Sequence, residues 1–120
     1  MIKILTFILV MFFTTSVQAL ELLMYHNKLC GYCQAFMKEV KVDYQYDLPE
    51  KFLAKNLELV IIEQGNEPEW FVMAYIENRI KPIRGTPTFI IWNGRKELTR
   101  IIGYSTKQKF YNKLDEIFKE

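Results

Sequence analysis

The sequence predicts an α/β fold in which one mixed β-sheet carries α-helices on both faces. Apolar stretches of strand length alternate with stretches of helical periodicity, and Asn93-Gly94, a strong hairpin signal, separates the last two strands. The chain has 120 residues, of which 50% are hydrophobic and 25% are charged. This composition suits one small domain with a packed core and excludes a disordered chain.

The first predicted strand is the apolar stretch 20–25, which ends before Asn27-Lys28. A helix is predicted next, because apolar side chains then recur at i, i+3, i+4 and i+7. These side chains are Cys33, Phe36, Met37 and Val40. The following segment, 41–56, is mixed in character, and we expect a brief helix over 51–54. Residues 57–62 are apolar on both sides, as is typical of a central strand covered on both faces.

A second long helix is predicted to start near Asn66-x-x-Glu69, with Pro68 in its first turn. Its expected buried stripe consists of Trp70, Met73, Ile76 and Ile80. This helix fits a right-handed crossover between two parallel strands.

The hairpin strands are predicted at 88–92 and 98–102, and Ser105-x-x-Gln108 opens a final helix. The apolar face of this helix consists of Phe110, Leu114, Ile117 and Phe118. The resulting order is β-α-(α)-β-α-β-β-α, with the hairpin strands antiparallel in the same sheet.

The first residues have the pattern of a secretory signal peptide. A single positive charge, Lys3, precedes the apolar stretch 4–13, which is about half as long as a membrane span. Small residues then lead to a predicted cleavage after Ala19, so that 1–19 is the signal peptide and 20–120 the domain. The alternative is an uncleaved anchor or a buried helix, because apolar residues continue after the cleavage point.

Charge and motif content exclude several function classes. The net charge is +2, from 16 basic and 14 acidic residues spread along the chain, so nucleic acid is not an expected partner. The sequence has no Gly-rich phosphate loop, which argues against nucleotide chemistry. Export places the protein in a compartment where disulfides persist.

The most informative motif is Cys30-Gly31-Tyr32-Cys33 at a predicted strand-to-helix junction. Cys30 is expected at or next to the helix N-cap, where unpaired N–H groups and the helix dipole favour the thiolate. Cys33 lies one turn further on the core side, so it can attack only a mixed disulfide already formed on Cys30. We expect Gly31 to let a substrate backbone approach and Tyr32 to place an aromatic edge beside the reactive sulfur.

Two other roles compete for the cysteine pair. A plain disulfide staple is disfavoured, because so short a loop restricts the unfolded chain little. His26, Cys30 and Cys33 together offer three ligands for Cu(I) or an open zinc site, but residues 20–120 contain no fourth Cys or His. His26 has two further interpretations, a polar residue at a strand end or a group that tunes the Cys30 thiolate.

A proline stands at the mouth of an apolar strand in Gly85-Thr86-Pro87-Thr88. Proline is unusual there, and a cis X-Pro bond at a tight turn is a common reason for it. We therefore predict that the Thr86-Pro87 bond is cis.

These motifs, with the hairpin, Gly103 and the last helix, resemble the thioredoxin-like superfamily over the whole mature chain. The resemblance implies that Pro87 is cis against the cysteines and that the backbone of Thr86 pairs with a substrate peptide. The extra N-terminal β-α unit of thioredoxin itself is expected to be lacking. The catalytic motif is similar to that of periplasmic disulfide isomerases, and the size resembles the small periplasmic thioredoxins encoded with sulfur-oxidation systems (SoxS-like).

Two positions depart from the thioredoxin pattern. Thioredoxins carry a buried Asp six residues before the first cysteine, where this chain has Met24, and a Trp just before it, where this chain has Leu29. The proton acceptor for Cys33 is therefore open, with Glu63 or water as substitutes.

The expected function is a periplasmic thiol-disulfide oxidoreductase that reduces protein disulfides. The alternatives are an isomerase or oxidant, and a Cu- or Zn-binding metallochaperone. We expect a monomer without a cofactor, protein thiol or disulfide clients, and a membrane electron donor that keeps the cysteines reduced in an oxidising compartment.

Overall fold

Strands and helices alternate along the chain in the predicted order. A computed structural model describes residues 19–48 and 56–119. The strands are β1 (Glu21–His26), β2 (Glu58–Glu63), β3 (Thr88–Trp92) and β4 (Glu97–Ile102). The helices are α1 (Gly31–Glu39), α2 (Tyr44–Asp47), α3 (Glu69–Ile76) and α4 (Lys107–Ile117), with a 3-10 turn at Lys41–Asp43. The predicted brief helix over 51–54 and residues 1–18 of the predicted signal peptide lie outside the described residues.

The four strands form one mixed sheet in the order β2-β1-β3-β4. β1 is parallel to β2 and antiparallel to β3, and β3 is antiparallel to β4. The mixed sheet is confirmed, but the prediction of a central position for 57–62 is wrong, because β2 lies at an edge of the described sheet. Apolar side chains on both sides of a strand show that both faces are covered; they do not determine which strands pair with it.

The register brings three chain segments together at one end of the strands. Tyr25 at the end of β1 pairs with Thr88 at the start of β3, and Thr88 pairs with Ile102 at the end of β4. Residues 27–30, 85–87 and 102–103 therefore meet at this end of the strands, which we call the cysteine edge. The hairpin turn, with Gly94 at a φ of 88°, lies at the opposite end of the strands.

The two faces of the sheet carry separate cores, which confirms the prediction of helices on both faces. On the α1 face, β1, β3 and β4 pack against α1 and α4. Phe36 of α1 lies at its centre, with its ring centroid 4.7 Å from that of Phe89 and 5.1 Å from that of Phe110. The predicted apolar face of the last helix is confirmed, with Phe110 and Leu114 buried inside it.

The opposite face, which we call the α3 face, is covered by α3 and the segment after it. Phe71, Ala74 and Ile80 pack there against the sheet. The predicted stripe is therefore wrong, since Trp70, Met73 and Ile76 are exposed and only Ile80, beyond the helix end, is buried. Every residue from 70 to 76 is apolar, so the sequence does not indicate which side of this helix is buried. Packing in the folded protein places the small Ala74 against the sheet.

The helices α3 and α4 both start a little away from the N-cap residues expected from the sequence. The N-cap of α3 is Pro68, and no side chain caps that helix. The N-cap of α4 is Thr106 rather than Ser105, and its hydroxyl accepts a hydrogen bond from the Lys109 backbone N–H at 3.2 Å. Among the described residues, no helix is long and apolar enough to cross a bilayer.

Candidate active site

A tight turn at the cysteine edge leads from β1 into α1 and positions Cys30. The Asn27 carbonyl accepts a hydrogen bond from the Cys30 N–H at 3.1 Å, and the Asn27 side-chain oxygen accepts one from the Leu29 N–H at 2.8 Å. Cys30 is the N-cap of α1, with extended backbone angles, and its sulfur accepts a hydrogen bond from the Cys33 N–H at 3.1 Å. The Cys30 sulfur thus lies where the helix N-terminus stabilises negative charge.

The two cysteines form a disulfide and differ strongly in burial. Their Cα atoms are 5.2 Å apart. Cys33 is 1% exposed and belongs to the core of the α1 face, whereas Cys30 is half-buried. The predicted contrast in burial is present, but Cys30 is less exposed than expected, because its sulfur turns onto the helix N-terminus and bonds to Cys33.

The surface around Cys30 is open and partly apolar. Leu29 is 95% exposed and Tyr32 is 67% exposed. Gly31 is exposed, and a Cβ atom added to it would have no neighbour within 4 Å. The fold therefore does not require glycine at this position, and the space above Gly31 is free for an approaching chain.

The loop before β3 lies at the same cysteine edge as this surface. The Thr86-Pro87 peptide bond is cis, in agreement with the sequence prediction. The Pro87 carbonyl accepts a hydrogen bond from the Gly103 N–H at 2.9 Å. The buried Thr88 hydroxyl donates to the Gly85 carbonyl at 2.7 Å, so both sides of the cis bond are anchored.

The role of Thr88 in holding this loop was not predicted. A signal for it is present in the sequence, since Thr88 follows the proline directly and stands three residues after Gly85. A hydroxyl side chain at that separation often donates to the earlier carbonyl, which then needs no backbone hydrogen bond.

Residues proposed to assist proton transfer lie on the α1 face. Met24 is fully buried in the same core cluster as Cys33. Side chains alternate along a strand, so His26 projects to the same side of β1 as Met24. Glu63 stands opposite His26 in the β1–β2 register, and its carboxylate lies 3.7 Å from the Lys28 ammonium. Met24 thus places a thioether where thioredoxins carry a buried Asp, and the titratable side chains of His26 and Glu63 lie further along the strands.

Metal binding receives no geometric support from the described part of the chain. Within 19–48 and 56–119, no three His, Cys, Asp or Glu side chains form a group that could hold a metal ion. His26 and the two cysteines therefore do not come together as the three-ligand site considered above.

A tyrosine links the end of α1 to the segment after β4. The Tyr104 hydroxyl donates to the Glu39 carboxylate at 3.1 Å, and its ring packs edge-on against Phe36, with centroids 5.5 Å apart. Burial, together with this hydrogen bond, raises the pKa of Tyr104 to about 12. The phenol stays protonated at neutral pH and supports the helix that carries the cysteines.

Comparison with known proteins identifies the family. A family model described as a thioredoxin-like domain matches residues 16–118. The chain belongs to this thioredoxin-like family. No curated protein matches the sequence.

Three solved structures share the thioredoxin-like fold. The periplasmic thioredoxin SoxS from Paracoccus pantotrophus, in its reduced form, has a TM-score of 0.63 and 22% identity, covering 82% of this chain and 94% of that one. Thioredoxin f2 from Chlamydomonas reinhardtii has a TM-score of 0.59 and 13% identity, covering 88% and 85%. A thioredoxin-fold protein from Helicobacter pylori has a TM-score of 0.56 and 20% identity, covering 83% and 69%. At these identities the likeness concerns the fold.

The thioredoxin-like fold thus places a Cys-x-x-Cys pair at a helix N-terminus, with one sulfur half-buried and the other buried. This arrangement is consistent with a thiol-disulfide oxidoreductase.

Proposed function

We propose that this protein is a periplasmic oxidoreductase that reduces protein disulfides through a mixed disulfide on Cys30. The observation that carries the proposal is the unequal placement of the two sulfurs. Cys30 caps α1 beside an open surface, while Cys33 is 1% exposed and hydrogen-bonded by its N–H to the Cys30 sulfur. Such a pair assigns attack to the first cysteine and resolution to the second.

The reaction needs no cofactor and its electrons balance within the dithiol. The Cys30 thiolate attacks one sulfur of the client disulfide, forming a Cys30–client bond and releasing one client thiolate. The Cys33 thiolate then attacks the Cys30 sulfur, forming the Cys30–Cys33 disulfide and releasing the second client thiolate. The client gains two electrons and takes up protons from solvent, and the protein loses the same two electrons.

Thr86 and Pro87 are proposed as the peptide-binding side of this site. Both lie at the cysteine edge, and the hydrogen bonds to Pro87 and Gly85 hold their backbone in place. A client segment bound along Thr86 would bring its disulfide to Cys30. Gly31 and Tyr32 would contact the same segment from the other side.

Two observations support export, and the reducing direction is proposed with it. The first residues have the pattern of a signal peptide, and one similar structure is that of a periplasmic thioredoxin. A membrane-bound dithiol donor would regenerate the reduced pair in an oxidising compartment. Equilibration with glutathione tests the direction: a reduction potential of about −270 mV supports reduction, and one of about −120 mV makes the protein an oxidant.

Serine variants of the two cysteines test the mechanism and control each other. Cys33→Ser should accumulate mixed disulfides with clients, because attack proceeds and resolution does not. Cys30→Ser should accumulate none, and neither variant should reduce insulin. Alkylation of the reduced wild-type protein should label Cys30 first. Preferential labelling of Cys33, or trapping by Cys30→Ser, would reverse the assigned roles.

A further inference from the structure

We propose that a cleft beside Thr86 binds an acidic side chain of the client, close to the client disulfide. This inference rests on the proposed function and names the substrate class of the same site. The cleft has a volume of about 390 Å³ and is lined by residues of the segment 81–85, by Thr88 and by Arg100 and Ile102 of β4. Gly85 and Thr88 bracket the cis peptide bond, so the cleft adjoins the proposed peptide-binding backbone.

The wall of the cleft is held in place by Arg100. Its guanidinium donates to the Lys81 carbonyl at 2.9 Å and to the Pro82 carbonyl at 3.0 Å. The same guanidinium forms a 2.6 Å ion pair with Glu97, which also accepts a hydrogen bond from the Lys81 N–H. Arg100 is therefore neutralised and acts as a positioning residue for the segment that follows.

Two cations of this segment have no acidic partner among the described residues. Lys81 and Arg84 are exposed, and no described carboxylate pairs with either side chain. Because Thr88 holds the Gly85 carbonyl on one side and Arg100 holds the Lys81 and Pro82 carbonyls on the other, these cations project from a fixed backbone.

The carboxylates near the cysteine edge are already engaged. Glu63 pairs with Lys28, Glu67 accepts hydrogen bonds from the Tyr25 hydroxyl and the Gly65 N–H, and Glu39 accepts one from Tyr104. Glu67 and Glu39 keep their charge, because their partners are neutral donors, but no Asp or Glu lies among the described residues that line the cleft. Lys81 and Arg84 therefore make the cleft itself locally positive, and it favours a negatively charged group on a bound client.

The cleft also offers apolar surface. Ile102 is 69% exposed at the end of β4, and Pro82 is exposed beside it. A client segment that carries an acidic residue next to an apolar one would use both parts of this surface. A lysine at the same client position would be repelled.

The test compares peptides that differ only in charge. Each peptide contains the same intramolecular disulfide, flanked by Glu, by Gln or by Lys, and the rate constant of reduction by the reduced protein is measured at low salt. We expect the Glu peptide to react about fivefold faster than the Gln peptide and the Lys peptide to react more slowly than either, because exposed charge pairs contribute modestly. The Glu preference should fall at high salt.

Two matched double variants locate the preference. Lys81→Gln with Arg84→Gln should bring the Glu-to-Gln rate ratio close to one. Arg95→Gln with Lys96→Gln removes the same charge from the hairpin turn at the opposite end of the strands and should keep the wild-type ratio. An equal loss in both double variants would show general charge steering and overturn the assignment to the cleft.

Failure of this inference is distinguishable from failure of the proposed function. If the wild-type protein reduces neither the peptides nor the uncharged bis(2-hydroxyethyl) disulfide, the proposed function is wrong. If it reduces the Glu and Gln peptides at equal rates, the oxidoreductase stands and the acidic client class is rejected.

Discussion

The two faces of the sheet are packed to different depths. On the α1 face, α1 and α4 pack over a core in which the ring centroids of Phe36, Phe89 and Phe110 lie within 4.7 to 5.1 Å of one another. Within residues 19–48 and 56–119, the α3 face carries one helix of 8 residues, and several of its apolar side chains are 40% to 65% exposed. These side chains are Trp70, Val72, Met73, Tyr75 and Ile76.

The difference matters because the resolving thiol belongs to the deeper face. Cys33 needs dry, well-packed surroundings to stay hidden from large disulfides yet remain within reach of Cys30, and aromatic packing supplies them. The α3 face has no such requirement from the cysteine chemistry. β1 separates the two, with Met24 on one side and Leu23 on the other.

The largest effect is expected for a carboxylate introduced on either side of β1. Met24 and Leu23 are both fully buried, so Met24→Asp and Leu23→Asp should each lower the free energy of unfolding by about 3–5 kcal/mol at neutral pH. Burial raises the pKa of the new Asp in the folded state above its unfolded value of about 3.9. The loss should therefore grow as pH rises above that value, which urea unfolding at several pH values would measure.

The same two variants separate the faces by chemistry. Only Met24→Asp places a proton acceptor on the side of Cys33, so only it should accelerate release of the second client thiol near neutral pH. Stopped-flow measurement of a preformed mixed disulfide on Cys30 gives this rate. An unchanged rate in Met24→Asp, with a lower rate in His26→Ala or Glu63→Ala, would move the proton path to those residues.

A matched pair of phenylalanine truncations compares the depth of the two cores. Phe36→Ala should lower the free energy of unfolding by about 4–5 kcal/mol, because Phe36 is fully buried among rings that cannot collapse. Phe71→Ala should cost about 3 kcal/mol, since Phe71 stacks on Tyr25 and contacts Trp70 edge-on, and both of these rings lie nearer the surface. Equal costs in chemical denaturation would contradict the difference between the faces.

Two isoleucines test which side chains α3 and its following segment bury. Ile80 is 1% exposed and Ile76 is 65% exposed. We expect Ile80→Ala to cost about 2–4 kcal/mol and Ile76→Ala less than about 1 kcal/mol, measured as shifts in the urea midpoint. A large cost at Ile76 would restore the stripe predicted from the sequence.

The smallest effect concerns the loop that precedes α3. The N–H of Gly65, the N–H of Glu67 itself and the Tyr25 hydroxyl lower the pKa of the Glu67 carboxyl. Its contribution to stability is therefore present above the unfolded pKa and lost as pH falls through the lower folded pKa. Glu67→Gln should remove this acid-side dependence, worth less than about 1 kcal/mol for a carboxylate that is still partly exposed. Glu116→Gln on α4 serves as the control, and an identical acid profile in the two variants would refute the role of Glu67.

Local chemistry determined much of this protein before any packing is considered. The turn at Asn27 and the helical spacing from Cys33 predicted a helix beginning at the cysteines, and α1 begins there. Asn93-Gly94 predicted the hairpin, and Pro87 at a strand mouth predicted the cis bond. Each of these features depends on contacts or backbone preferences within a few residues, which the sequence records directly.

Tertiary structure decided the features that depend on distant partners. The strand 57–62 has the composition of a central strand, yet it forms the edge, because β3 takes the place beside β1. In α3, Phe71 and Ala74 are buried instead of Met73 and Ile76, since an almost uniformly apolar helix has no preferred face until a sheet selects one. The cleft at Thr86 arises in the same way, because Arg100 of β4 meets the Lys81 and Pro82 carbonyls only after the strands have paired. Pairing and packing join residues far apart in the chain, and one sequence does not state which of its apolar surfaces will meet.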